Sequence, residues 1–97
     1  MMKTPYDKII SKLFKDRWTE NLANADISEQ REQLYKTLHN QYDGYWSGHT
    51  AYHLAVEGGF LVDSESGKPK ELTAVGFDFM NTMNPNWKES LKRRGKQ

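Results

Sequence analysis

Ser47 to Asp63 reads SGHTAYHLAVEGGFLVD, and the reading of these residues decides the fold. Ser47 is placed to cap a helix running from about Gly48 to Glu57, with Ala51, Leu54, Ala55 and Tyr52 facing inward at helical spacing. Gly58 and Gly59 end that helix, because glycine tolerates the left-handed backbone that closes a helix. Phe60, Leu61 and Val62 then suit a short strand, and SESGKPKE is a turn-rich link to a second strand at about Glu71 to Thr73. A helix that runs through a double glycine straight into a β-hairpin is half of a recognisable unit.

The flanking sequence supplies the other half. Thr4 and Pro5 mark a helix start, and Tyr6, Ile9, Ile10, Leu13, Phe14 and Arg17 or Trp18 follow on one face, which predicts a first helix over about Pro5 to Trp18. TENLANAD lacks periodicity and reads as a loop. Asp26 with Glu29 resembles a capping box, with Ser28 as a competing cap. Ile27, Leu34, Leu38 and Tyr42, with the stem of Arg31 between them, form a second helical stripe that Gly44 stops. Downstream, Thr73 caps a helix in which Val75, Phe79, Met80 and Met83 pack, and Asn84–Pro85 breaks it. A last helix is expected from Asn86 to about Arg94, with Trp87 and Leu91 inside. The expected fold is mainly α with a small β-hairpin: a winged helix-turn-helix of three N-terminal helices, a wing over Phe60 to Thr73, and one or two C-terminal helices.

Composition bounds what such a chain does. Its 97 residues make one domain, which buries about 60–65 % of its unfolded surface and leaves no room for a deep cleft. The absence of cysteine excludes disulfides, thiolate metal sites and cysteine nucleophiles. No apolar run approaches the roughly 18 residues of a membrane span, and MMKTPYDKIISK lacks the apolar stretch of a signal peptide, so the expectation is a soluble, cytoplasmic chain with no membrane partner. The net charge is +1, but from Pro85 onward five basic residues face Glu89 alone, so a basic tail begins at about Lys92. Such a tail is commonly a solvated helix end and otherwise a contact for phosphate or an acidic partner.

The stretches YHLAVEGGFLVD and ELTAVGFDFMNTMNPNW resemble a family of small uncharacterised phage and prophage proteins with winged-helix character. The likeness is carried by Leu72, Thr73, Gly76, Asp78, Phe79 and Trp87 and covers about His49 to Lys92, while Thr19 to Trp46 departs from the pattern. The resemblance implies a fold and a phage or mobile-element setting. It implies no settled activity.

The residues themselves offer four chemistries. His49, His53 and Glu57 share a helix face at i, i+4 and i+8, but Glu57 lies about 12 Å along the axis from His49, and no HExxH pattern is present; no metal site or other cofactor is expected. As a nucleic-acid reader, the third helix offers His49, Thr50 and His53 to bases without the arginines that usually do this. Phosphate contacts to DNA are then expected from Lys68 and Lys70 on the wing, from Lys92, Arg93 and Arg94 in the tail, and from Lys8, Lys12 and Lys15 on the first helix. As a protein-interaction module, the chain offers Tyr42, Tyr45 and Trp46, which serve either as an interface or as a plug between the second and third helices. A host protein such as a defence or transcription complex is the partner this reading implies, and it stands as the alternative to nucleic-acid binding, which is the first expectation. No nucleophile elbow, phosphate loop or close acidic pair points to an enzyme, so catalytic residues are expected to be none. The second-helix stripe and the C-terminal helix are the candidate faces for a homodimer.

Overall fold

The computed structural model describes residues 5–18, 20–63 and 70–92. In chain order they form α1 (Asp7–Arg17), α2 (Glu20–Ala23), α3 (Ile27–Asp43), α4 (His49–Glu57), α5 (Ala74–Met83) and a 3₁₀ turn (Trp87–Ser90). The architecture is mainly helical. α3 is its centre, packing against α1, α2, α4 and α5.

The buried stripes of each helix meet in one core. α1 contributes Ile10 and Phe14, α3 Leu34 and Leu38, α4 Leu54 and Ala55, and α5 Phe79 and Met80, joined by Phe60, Leu61, Leu72 and Trp87. Phe60 and Phe79 pack edge to face with centroids 5.5 Å apart, and Tyr6 leans on both. Tyr42 packs its half-buried ring against Trp87 at 5.3 Å and Phe77 at 5.8 Å. Leu34, Leu38 and Trp87 are at most 1 % exposed, so the α3 stripe and the apolar side of the C-terminal turn face this core. Neither is free to form the homodimer face that the sequence offered.

Two helices end in the same way for the same reason. Gly44 takes φ of 95°, its N–H bonds to Gln41 O, and the Tyr45 N–H reaches back to Asn40 O at 2.8 Å. Gly59 takes φ of 80°, its N–H bonds to Val56 O, and the Phe60 N–H reaches Ala55 O at 3.0 Å. Both are Schellman closures, which need a left-handed residue and satisfy the last carbonyls of the helix. Gly58 serves packing instead: a Cβ there would lie 2.7 Å from Leu13 Cδ1.

Polar locks orient α1. The Arg31 guanidinium forks onto Asp7, with Nε–Oδ1 at 2.9 Å and Nη2–Oδ2 at 2.8 Å, and this pairing raises the Arg31 pKa further above its already high value. The Tyr6 hydroxyl donates to Asp78 on α5, which raises the phenol pKa because ionisation would forfeit that bond.

Several expectations are corrected. TENLANAD contains α2, a single turn whose Leu22 carbonyl accepts the Gln30 side chain at 2.9 Å; one turn is too short to show periodicity. The capping expectation at Thr4 falls outside the described residues. Asp26 occupies the N-cap of α3 without a side-chain bond, and Gly48 rather than Ser47 occupies that of α4. Among the described residues the hairpin is one antiparallel bridge, Leu61 to Leu72, with Val62 N–H to Glu71 O at 2.9 Å and Thr73 N–H to Phe60 O at 3.1 Å. The ladder stops because Thr73 already caps α5, accepting the Gly76 N–H at 3.0 Å, while the Lys70 N–H turns to Gln41 O at the end of α3. The last helix shrinks to the 3₁₀ turn, after which Asp43 Oδ2 holds the Lys92 N–H at 2.7 Å.

Candidate functional site

α4 places its residues by a simple division. Ala51, Tyr52, Leu54 and Ala55 are buried, so His49, Thr50, His53 and Glu57 are left on the outer side. At the helix start the extended segment after Gly44 delivers Trp46 onto this outer side. Trp46 is 52 % exposed, yet its ring is held: it meets His49 edge to face at 5.3 Å and Tyr52 at 5.4 Å. His49 and His53, one turn apart, stack nearly parallel with centroids at 6.2 Å, and Tyr52 closes on His53 at 5.4 Å. The result is a ledge of rings on the surface, braced from inside by a buried tyrosine.

The charged groups around the ledge are engaged. Glu57 pairs with Arg17 at the end of α1, so the row that began with two histidines ends in a neutralised pair. The Tyr52 hydroxyl donates to Asp63, and the Lys70 ammonium lies 5.2 Å from the centroid of the Tyr52 ring. Lys70 is only 2 % exposed. It was expected on a solvated wing edge, and its burial removes it from the set of phosphate contacts.

The remaining expected residues fall in different places. Tyr42 belongs to the core, while Tyr45 is 36 % exposed and stands beside Trp46 in the chain. Lys92 keeps an exposed side chain next to its anchored N–H. Lys68, Arg93 and Arg94 lie outside the described residues. Sequence reasoning treated the histidine row and the aromatic run as separate features and missed their union; the three-then-four spacing from Trp46 to His49 to His53 was the available signal.

A second polar group sits at the far end of α3. His39, Asn40, Asp43, Tyr45, Ser90 and Lys92 line a hollow of about 300 Å³. His39 Nε2 lies 2.7 Å from Ser90 Oγ, which in turn donates to Trp87 O at 2.8 Å. A hydroxyl has one proton, so with that proton on Trp87 O the imidazole must donate to the serine. His39 is therefore not placed as a base toward Ser90, and the chain of bonds ties the C-terminal turn to α3.

Among the described residues, no group of three or more His, Asp or Glu side chains is placed to hold a metal ion. No helix among them is long and apolar enough to cross a membrane. The chain matches no protein-family model, and comparison with curated proteins and with solved structures finds no match.

Proposed function

We propose that this chain is a non-enzymatic binding module that docks on a protein through the ledge of Trp46, His49 and His53, with Tyr45 at its edge. The observation that carries this reading is a half-exposed tryptophan that is nonetheless fixed by two ring contacts. A large amphipathic side chain ordered before binding loses little entropy on contact, and Trp and Tyr dominate the energetics of protein interfaces. If the expected resemblance to phage and prophage proteins holds, a host protein is the natural partner, and the three longer helices α1, α3 and α4 leading into the Leu61–Leu72 bridge are read as a reduced winged helix.

Nucleic acid is the second reading, favoured by the position of His49, Thr50 and His53 on the third long helix. It ranks lower because that face carries no Lys or Arg and Lys70 is buried.

A nuclease-treated host lysate passed over the immobilised chain tests the first reading. A protein retained by the native chain and lost by Trp46→Ala, with unchanged helicity and melting temperature, is the expected outcome. Equal retention by the two forms would overturn the ledge as the docking surface.

A further inference from the structure

Nine Lys and Arg residues lie in the described segments, and the structure divides them sharply. Arg17 and Arg31 are in ion pairs, Lys70 lies over the Tyr52 ring, and Lys88 lies over the Phe77 and Trp87 rings. Of the five others, Lys8, Lys12 and Lys15 stand on one helix at i, i+4 and i+7, all exposed, opposite the buried Ile10 and Phe14. Ser11, also exposed, sits within this row. No carboxylate among the described residues pairs with the three lysines: Asp7 is turned to Arg31, Glu57 to Arg17, and Asp16 borders the row at its C-terminal end.

Like charges at three- and four-residue spacing destabilise a helix by about 0.2–0.5 kcal/mol per pair, and for Lys8, Lys12 and Lys15 the described residues offset this only through Asp16, four residues after Lys12, and the place of Lys15 in the last turn. A row of exposed lysines with no ion pair among the described residues fits an anionic partner. The row rises about 10 Å from Lys8 to Lys15 at 1.5 Å per residue, and flexible lysine stems extend its reach along neighbouring phosphates of one strand. Three ammonium groups, with the Ser11 hydroxyl among them and Asp16 at one end, are enough for about three phosphates of one strand, the kind of contact that positions without reading sequence.

We infer that the outer face of α1 binds the phosphate backbone of nucleic acid through Lys8, Lys12 and Lys15, independently of sequence and of the ring ledge. The test is fluorescence anisotropy with a short DNA duplex of random sequence, comparing the full native chain with Lys8→Gln/Lys12→Gln/Lys15→Gln. Three phosphate contacts give the row a log–log salt slope of about −2.7, or roughly a 40-fold loss between about 50 and 200 mM salt. The expected result is that the triple variant loses about that much slope while melting no lower than the native chain, since self-repulsion has been relieved. No duplex binding by the native chain at low salt would overturn the inference, as would an unchanged slope in the variant. Polyglutamate bound as tightly as the duplex would also overturn it and assign the row to an acidic protein.

Discussion

Gly76→Ala separates helix propensity from packing, because the two predict opposite signs. In an unobstructed helix the substitution stabilises by about 1 kcal/mol. In the first turn of α5, however, the added Cβ would lie 2.1 Å from the Phe60 carbonyl oxygen, 3.1 Å from its carbon and 3.2 Å from Leu72 Cβ. Carbon and oxygen ordinarily approach to about 3.3 Å, so α5 and the bridge must part by roughly 1 Å. The obstacle is backbone, and no side-chain rotation relieves it. Displacement strains the Thr73 N–H bond to Phe60 O and the Thr73 cap on the Gly76 N–H. Loss of two such bonds at about 1 kcal/mol each, with about 1–3 kcal/mol of overpacking and about 1 kcal/mol of regained propensity, leaves a net loss of about 2–4 kcal/mol. In a domain of this size that lowers Tm by roughly 10–30 °C. Thermal melts followed by circular dichroism, with urea titrations alongside, measure it. A melting temperature equal to or above that of the native chain would refute the close approach of α5 to the bridge.

Two further perturbations test the locks on α1. Asp7→Ala is expected to cost more than Arg31→Met in urea titrations, about 2–3 against about 1 kcal/mol, because the guanidinium is the buried partner, 6 % exposed against 23 % for Asp7, and is left uncompensated. Equal costs would count against that asymmetry. Tyr6→Phe is expected to lower stability at neutral pH, with the gap to the native chain closing at high pH. The folded pKa of Tyr6 lies above the ordinary value near 10.0, so its contribution is fully present below that value and is lost as pH rises through the folded pKa. Melts at stepped pH, read beside the phenolate absorbance, check this; a gap constant across the alkaline range would sink it.

Much of the fold was legible wherever a local rule and the tertiary structure agree. The α3 stripe and its stop at Gly44, the closure of α4 at Gly59, the cap at Thr73 and the burial of Trp87 all follow from periodicity or turn chemistry that neighbours reinforce, whereas Gly58, read with Gly59 as a left-handed stop, keeps a right-handed backbone and serves packing. What was not legible depended on distant partners. Lys70 reads as a surface lysine because the Tyr52 ring that covers it is eighteen positions away. The C-terminal turn reads as a helix because the pattern of Trp87 and Leu91 is helical, whereas Asp43 draws the Lys92 N–H out of that path. The ring ledge was half visible: its members were named, but the turn that brings Trp46 onto His49 belongs to a segment without periodicity.

Tyr52 also works as a buckle. Its hydroxyl holds Asp63 and its ring faces Lys70, so the chain on either side of residues 64–69 is fastened to the same side chain. One side chain therefore serves as a polar anchor and an aromatic one at once, and its loss would take a contact from Asp63 and from Lys70 together.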